Sequence, residues 1–266
     1  MRVIVTDAEV TMADVLSLRM ATEEPLADGT ELVLRHRGTG AERRVELGSL
    51  GATDTGKAEV AVSLGRLSLS PGRWDAYLQQ DGPRTRVPSI DPGFSLDKLD
   101  EYALTQRTLA YRAYRTRTGY LAIKISEAEP VADVRAVWFR EGRFEVTGLL
   151  AYTGFEDDDQ RRRASLELRR TEDPETSVTA AATVQGVRFH AALSLCDVIA
   201  AAPDAEGLWE PRLRVDGIDE PLALGARIDD VDGRRRRVHY PATSVDGVPI
   251  RPCYTVDDEL RLEVGG

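Results

Sequence analysis

The sequence predicts an all-β protein built from two tandem antiparallel β-sandwich domains that are related by internal duplication. Three observations lead to this prediction. Apolar residues recur with a period of two, one pattern occurs twice around Trp74 and Trp209, and turn residues separate the short apolar runs. A period of two places alternate side chains on one face of a β-strand. Short strands with frequent turn signals between them are typical of β-sandwiches.

The duplicated pattern is centred on the two tryptophans. Residues 72–75 (Gly-Arg-Trp-Asp) are followed by a leucine and then by Asp-Gly at 81–82. Residues 207–210 (Gly-Leu-Trp-Glu) are followed by a leucine and Asp-Gly at the same spacing. A tryptophan repeated at a fixed place is typical of core packing, so we expect each indole to fill the core of its own domain. A pair of sugar-stacking platforms is the alternative.

Further blocks match in the same order in both halves. The matched blocks are 15–18 with 143–146, 32–35 with 166–169, the alternating runs 58–64 with 189–195, and the closing segments that start at Tyr114 and Tyr254. Trp138 has no counterpart, because Val10 takes its place. Internal repetition fixes the fold before any single motif does. The predicted domains are therefore residues 1–128 and 129–266.

The strands follow from the alternating runs in each half. The first domain is predicted to hold a hairpin within 3–18 and strands at 31–37, 57–64, 74–80, 85–87 and 120–125. The second is predicted to hold strands at 134–139, 144–150, 165–170, 187–195, 209–215 and 260–264. Consecutive strands are too close in sequence for crossover helices, so the sheets should be mainly antiparallel. Residues 95–102 have the pattern of a short capped helix, and their counterpart at 228–242 is predicted to be a loop.

Composition and charge exclude several classes of function. A formal net charge of −10 argues against a nucleic-acid binder and against general attraction to an anionic membrane. No segment approaches the roughly 20 apolar residues of a membrane span, and the N-terminus lacks the apolar region of a signal peptide. Cys196 and Cys253 are predicted to be buried free thiols. Together these features favour the cytoplasm.

No catalytic or metal-binding constellation is evident in the sequence. The three histidines, His36, His190 and His239, have no metal-ligand spacing. A triad of Ser194, His239 and an aspartate lacks the nucleophile elbow that would support it. We therefore expect no catalytic residue, no cofactor and no resident metal.

Two groups of residues are weak candidates for a ligand or interface contact. Trp138 and Phe139 are adjacent, so they must face opposite sides of a strand, and an outward ring would suit a ligand, an interface or a domain–domain contact. Arg234, Arg235 and Arg236 would suit a phosphate. Acidic residues precede this arginine run, and such mixed charge favours a solvated hairpin. The acidic run 156–159 lacks the glycine and ligand spacing of a calcium loop, so it has the same interpretation.

The complete pattern resembles a known family. Each half reads Leu-x-Leu-Arg, then an alternating strand that ends at Leu64 or Leu195, then Gly-x-Trp-Asp/Glu-x-x-x-Leu and Asp-Gly. This resembles the immunoglobulin-like accessory domains of actinobacterial teichoic-acid-type glycosyltransferases and glycerophosphotransferases. The resemblance implies a non-catalytic role that positions a glycan, a cell-wall glycosyltransferase or another copy of the chain. No catalytic residue of the family carries over, because its catalytic region has no counterpart here.

Two other functions remain open. One is a structural oligomerisation or interaction module without a small ligand, which predicts an apolar surface patch of several hundred Å². The other is an enzyme with an unfamiliar site at the domain junction, which predicts a closed pocket with convergent polar groups. Polymer binding instead predicts exposed arginine or aromatic side chains on one face.

Overall fold

A computed structural model describes residues 3–24, 26–47, 56–91, 96–202, 206–226, 228 and 234–265. The chain divides into two compact units. The first comprises Met1–Tyr102 and Arg107–Ala128, and the second comprises Ala103–Gln106 and Glu129–Gly266. Within the described ranges, no helix has both the length and the apolar character that a membrane span requires.

The first unit contains two sheets. Its strands are β1 (Val3–Val10), β2 (Val15–Thr22), β3 (Glu31–His36), β4 (Glu42–Glu46), β5 (Lys57–Ser63), β6 (Gly72–Gln79), β7 (Thr85–Arg86), β8 (Leu109–Arg115) and β9 (Leu121–Glu127), with helix α1 (Leu96–Leu104) between β7 and β8. One sheet has the order β1-β2-β5. The other has the order β4-β3-β6-β9-β8, and β7 also pairs with β6. All these strand pairs are antiparallel, as the sequence predicts.

Both sheets of the first unit contribute to one apolar core. Leu16 from one sheet and Leu32 from the other are each at most 1% exposed. Trp74 is also 1% exposed, and its indole nitrogen donates a hydrogen bond to the Ser70 carbonyl oxygen at 2.9 Å. The ring of His36 packs edge-on against this indole. The prediction that Trp74 is a core residue is confirmed.

The second unit forms a closed seven-stranded barrel. Its strands are β10 (Val131–Arg140), β11 (Arg143–Ala151), β12 (Arg161–Arg170), β13 (Ser177–Gln185), β14 (Arg188–Ser194), β15 (Gly207–Val215), β16 (Leu222–Gly225), β17 (Thr243–Val245), β18 (Val248–Tyr254) and β19 (Leu260–Val264). Its helices are α2 (Leu195–Ala201) and α3 (Arg234–Arg237). The ring runs β12-β13-β14-β11-β10-β16-β15 and closes where β15 pairs with β12. Strands β19, β18 and β17 continue from β15.

Barrel closure departs from the predicted pair of separate sheets. Strand β13 pairs with β12 on one side and β14 on the other, and β16 runs parallel to β10. These pairings remove the sheet edges that an open sandwich would leave. Trp209 is fully buried in the core, as predicted, but its indole nitrogen has no hydrogen-bond partner among the described residues.

Apart from the pairings that close the barrel, the two units share their strand order and register. The corresponding cross-strand pairs are Leu16 with Val62 and Phe144 with Leu193, Leu32 with Leu78 and Leu166 with Leu213, and Trp74 with Ile123 and Trp209 with Leu262. Each first strand also has a register shift at the same place, between Val5 and Asp7 in β1 and between Val134 and Ala136 in β10. A bulge of this kind bends the strand locally and is a specific feature of a fold.

Two predicted matches between the halves are displaced by one residue. The register makes Tyr254 correspond to Arg115 rather than to Tyr114. It likewise makes Phe139, and not Trp138, correspond to Val10. Because successive side chains point to opposite faces of a strand, a shift of one residue changes which side chains share a face.

Several elements lack a clear signal in the sequence. Strand β4 consists mainly of charged residues and lacks the apolar alternation by which strands are recognised. Strand β13 does alternate, but its inward side chains are small, so the contrast between its two faces is weak. The structure also corrects the predicted loop at 228–242, because part of it forms the single-turn helix α3.

Candidate functional site

The outer face of the larger sheet in the first unit carries a charged and aromatic cluster centred on β6. In this strand Trp74 and Ala76 point into the core, so Arg73, Asp75 and Tyr77 point outward. Strand β7 then places Arg86 directly across from Tyr77. The alternation that buries the tryptophan therefore also positions the polar residues of the candidate site.

Asp75 is bound by two arginines of this cluster. Its Oδ1 atom accepts a hydrogen bond from Arg73 Nε at 2.8 Å and lies 3.3 Å from Arg86 Nη2. The Asp75 side chain is only 14% exposed. Its carboxylate holds the two guanidinium groups in place on the sheet face.

Arg86 is held by aromatic rings as well as by charge. Its guanidinium carbon lies 4.3 Å from the centre of the Tyr120 ring and 6.0 Å from that of Tyr77. Such cation–π contacts orient the planar guanidinium group. Its buried Nε atom has no hydrogen-bond acceptor within the described ranges, and its buried Nη2 atom has only the ion pair with Asp75. The Nε donor of Arg86 is thus not satisfied by the described residues.

Two further arginines reach the same place from neighbouring segments. Arg37 follows β3, and its backbone nitrogen donates to the carbonyl oxygen of Arg73 at 2.8 Å. Arg117 lies in the tight turn between β8 and β9, which is closed by a hydrogen bond from Thr116 N to Tyr120 O. Both arginine residues are exposed, and no interaction of either side chain with another part of the described chain is present.

These residues line an open pocket of about 500 Å³, which we call the arginine pocket. Its lining residues are Arg37, Arg73, Asp75, Arg86, Tyr114, Thr116, Arg117 and Thr118. Four guanidinium groups and one carboxylate give the lining a formal charge of +3, whereas the whole chain has a net charge of −10. The pocket is therefore a local basic site on an acidic protein. Its volume lies in the ordinary range for ligand pockets.

The second unit has the same backbone at this place but none of the four arginines. Thr171 N donates to Leu208 O at 2.8 Å, as Arg37 does to Arg73, and Thr255 N bonds to Glu259 O in the matching turn. The corresponding residues are Thr171 for Arg37, Leu208 for Arg73, Ala223 for Arg86 and Val256 for Arg117. Leu208 and Val256 are 41% and 71% exposed. The equivalent face is therefore apolar at its rim.

The charged side chains described on the equivalent face are engaged in ion pairs with one another. Glu210 occupies the position of Asp75 and forms ion pairs with Arg212 and, at 3.1 Å, with Arg261. Arg261 also contacts Glu259 at 2.8 Å. A second carboxylate, Glu167, binds Arg169 and Arg214, each at 3.2 Å. This face offers no comparable excess of positive charge.

Trp138 and Phe139 lie on β10 and face opposite sides, as their adjacency requires. Phe139 packs against the core, with its ring centre 6.3 Å from that of Phe144. Trp138 is half-buried on the outer side, where the Arg140 guanidinium carbon lies 4.9 Å from the centre of its ring. Only Trp138 thus keeps an outward surface for a ligand or interface contact.

The arginine run forms the whole of the short helix α3 and not the predicted hairpin. Arg234 N donates to Asp258 Oδ1 at 2.8 Å, and its guanidinium carbon lies 5.4 Å from the centre of the Tyr254 ring. Arg235 and Arg236 are exposed. The guanidinium group that stacks on Trp138 belongs to Arg140 and not to the arginine run. Trp138 and the run 234–236 therefore do not form one site through a cation–π contact.

The acidic run has a structural role at the end of the barrel. Asp157 forms a bidentate ion pair with Arg188, with distances of 2.6 and 2.8 Å. Asp158 lies 3.8 Å from Arg162, and Asp159 accepts a hydrogen bond from Gln185. The part of the chain that the structure describes contains no group of three potential metal ligands.

The other sequence candidates are separate in the structure. Ser194 is the N-cap of α2, where its hydroxyl oxygen accepts a hydrogen bond from Asp197 N at 3.3 Å. His36 is bonded to Pro71 O and to Thr39, and His190 and His239 are exposed. Both cysteines are free, as predicted, but Cys196 is exposed rather than buried.

Cys253 is partly buried, and burial raises the pKa of its thiol, with Glu263 adding to the shift. It lies on β18 at the register position that Tyr114 occupies in the first unit. Cys253 therefore occupies the place on the second unit that corresponds to the arginine pocket on the first.

Comparisons with known proteins show only a distant structural likeness. No family model matches the sequence, and neither does any curated protein. Among solved structures, S. aureus TarS is 11% identical with a TM-score of 0.37, and the match covers 71% of this chain and 34% of that one. A structure of TarS residues 217–571 is 10% identical with a TM-score of 0.36 and is matched over 82% of this chain and 60% of that one. This chain thus spans less than two thirds of either matched chain.

The arginine pocket was missed by sequence reasoning. The four arginines are scattered between positions 37 and 117, and no motif unites them. A signal was nevertheless present in the duplicated pattern. Aligning the two matching segments places Arg73 opposite Leu208, and such a difference at a matched outward position identifies a residue that the shared strand pattern does not require.

Proposed function

We propose that this chain is a non-catalytic accessory protein whose two tandem β-rich units position a glycan, or a glycopolymer-synthesising partner enzyme, through the arginine pocket. The units would be two copies of one immunoglobulin-like domain, residues 1–128 and 129–266, acting in the cytoplasm. The matching strand order, cross-strand register and bulge position support a common origin for the two copies.

The observation that carries the proposal is the difference between the two matched faces. The same backbone forms with four arginines in the first unit and with Thr171, Leu208, Ala223 and Val256 in the second. The arginines are therefore not needed to build the fold. A basic, tyrosine-lined concavity that the scaffold does not require is best explained by a ligand.

The chemistry of the pocket favours binding over catalysis. Its lining offers guanidinium groups, threonine hydroxyls and one tyrosine, all suited to hydrogen bonding and stacking. Asp75 already binds two arginines and is not poised as a general base. An activated nucleophile requires an adjacent base with an orienting partner, and the lining residues contain no such set.

A glycan array probed with the intact labelled chain tests the proposal. Retention of at least one polysaccharide class is expected, and the variant Arg117→Val should reduce that retention. Arg143→Gln, which removes one exposed arginine from the second unit, is the matched control and should leave retention unchanged. A chain that retains no glycan on an array containing both neutral and acidic polymers would contradict the glycan-binding function.

One observation favours a second function, an interaction module without a small ligand. Leu208 and Val256, at the rim of the matched face, are two of only four large hydrophobic residues that are exposed in the described part of the chain. Exposed apolar side chains of this kind occur at protein–protein contacts. Light scattering on the double variant Leu208→Ser and Val256→Ser distinguishes the functions. Loss of an oligomer present in the unmodified chain would favour the module.

A further inference from the structure

We propose that the arginine pocket contains a subsite for an oxyanion, so that its glycan carries a phosphate or carboxylate group. This inference rests on the proposed function, because it specifies the class of glycan that the same pocket would bind. Arg37 and Arg117 are assigned as the residues that contact the anion directly. Arg73 and Arg86 are assigned as positioning residues that hold a positive floor beneath it.

Charge is unevenly distributed within the pocket. Asp75 engages Arg73 and Arg86, which leaves no carboxylate in the lining for Arg37 and Arg117. Neither of these two side chains has an acidic partner elsewhere in the described chain. Like charges placed together on one surface repel each other unless an anion is shared between them. A bound oxyanion would relieve this repulsion.

The pocket also orients its donors. Arg86 is fixed between Asp75, which its Nη2 atom contacts at 3.3 Å, and the Tyr120 ring, and its buried Nε atom has no acceptor among the described residues. The turn that carries Arg117 is tied down by Thr116, whose hydroxyl oxygen accepts a hydrogen bond from Tyr120 N at 3.0 Å. Preorganised donors lose less entropy when they bind a ligand. The arginine pocket therefore suits one acceptor group bound in a fixed position better than a diffuse layer of counterions.

The chemistry of the guanidinium group further favours an oxyanion. Its planar fork donates two parallel hydrogen bonds to a carboxylate or a phosphate, and a neutral sugar hydroxyl has no equivalent geometry. The pocket also contains the exposed Thr118, whose hydroxyl oxygen lies 3.2 Å from that of the buried Thr116. The Thr118 hydroxyl suits the adjacent sugar or polyol unit. The site therefore matches an acidic glycan in which the charged group and its neighbour bind together.

The second unit supplies an internal control for each of these features. At the positions of Arg37 and Arg117 it has Thr171 and Val256, and Glu210 is fully engaged by Arg212 and Arg261. An anion that approaches this face meets arginines that already share their charge with glutamates, Arg212 and Arg261 among them. Anion binding is therefore expected at one unit only.

The test is a titration of the intact chain, observed through its backbone amide NMR signals. Inorganic phosphate, glucuronate and neutral glucose are the probes. Saturating shifts are expected at residues 37 and 116–119 with phosphate or glucuronate, and not with glucose. The anion that gives the stronger binding identifies which acidic group the site prefers.

A matched pair of variants isolates the two contact residues. The double variant Arg37→Gln and Arg117→Gln should weaken anion binding at least about tenfold, since a hydrogen bond to a charged group corresponds to roughly one order of magnitude. The control, Arg66→Gln with Arg143→Gln, removes the same charge from exposed sites outside the pocket and should change affinity less than about twofold. Both double variants change exposed residues only, so folding is expected to be retained.

The outcomes separate this inference from the proposed function. If neither anion shifts these signals, or if the pocket variant and the control bind equally, the oxyanion subsite is wrong. The chain can still retain a neutral glycan on the array, in which case the proposed function stands without the anionic specificity. Anion shifts at 255–258 equal to those at 116–119 would also overturn the inference.

Discussion

The matched outer faces of the two units carry a carboxylate at the same position and surround it differently. In the first unit, four arginines line the pocket together with the single carboxylate of Asp75. In the second unit, Glu210 forms ion pairs with Arg212 and Arg261, and Arg261 also contacts Glu259. The interiors beneath the two faces are alike, since each has a buried tryptophan opposite an apolar residue of the last strand. The difference teaches that the interior residues specify the fold and that the outward residues are free to specialise.

The largest expected effect tests the similarity of the interiors. Trp74→Ala and Trp209→Ala should each lower the free energy of unfolding of their own unit by roughly 3–5 kcal/mol, as truncation of a large core aromatic leaves a cavity. Hydrogen exchange of β6 and β15 in the intact chain measures the two effects separately. If either variant keeps its stability but loses glycan retention, that tryptophan is a ligand contact and not a core residue.

A second prediction concerns a variant in which two residues on the outer face of the first unit are replaced by their counterparts from the second unit. Arg73→Leu together with Arg86→Ala places the residues of the second unit around Asp75. Removal of both partners from a carboxylate that is 14% exposed should destabilise the first unit by about 1–3 kcal/mol. Adding Asp75→Ala should recover most of this loss, because the unpaired charge is then absent. Thermal unfolding of the two variants is the measurement, and equal stability of the two would contradict the role assigned to Asp75.

A third prediction concerns a difference between the tryptophans themselves. Trp74 donates a hydrogen bond to Ser70 O, while the Trp209 nitrogen has no acceptor among the described residues. Trp74→Phe should therefore cost about 1 kcal/mol more than Trp209→Phe, since both lose similar ring volume but only the first loses a hydrogen bond. Denaturant unfolding of the two variants measures the difference. A larger cost for Trp209→Phe would show that its indole nitrogen has a partner.

The smallest effect uses Cys253 as a reporter of the second face. Burial raises the pKa of its thiol, so at pH 8 a smaller fraction is thiolate, the form that reacts with alkylating reagents. Cys196 is exposed and should be labelled several-fold faster by iodoacetamide, as followed by peptide mass spectrometry. Raising the pH toward the pKa of the Cys253 thiol should reduce the ratio of the Cys196 labelling rate to the Cys253 labelling rate. Faster labelling of Cys253 at pH 8 would mean that this face is more open than the structure shows.

Much of the fold was accessible from the sequence because its interior has strict alternation. Strands such as β5 and β14 present one apolar face, and the core tryptophans repeat at the same spacing. Strand β13 was missed because its inward side chains are small and its alternation is therefore weak, and without it the barrel closure could not be predicted. Closure depends on cross-strand pairing between distant segments, which a period along the chain does not encode.

The candidate site was largely inaccessible from the sequence for a related reason. Its arginines come from β6, β7, the segment after β3 and the turn after β8, and only the sheet brings them together. The acidic run 156–159 and the arginine run from Arg234 are more conspicuous in the sequence. In the structure, however, the acidic run forms ion pairs at the barrel end, and Arg234 packs over Tyr254. Clusters built from single residues on neighbouring strands require the strand register before they can be recognised.

The proposed function requires that a glycan contacts the first unit at the arginine pocket. Hydrogen exchange of the intact protein, with and without a saturating polymer chosen from the array, measures this in one experiment. Slower exchange is predicted for residues 72–75 and 116–119 of the first unit, with no change at 207–210 and 255–258 of the second. Equal protection of both faces, or protection of the second face alone, would contradict the claim that the arginines distinguish a binding unit from its copy.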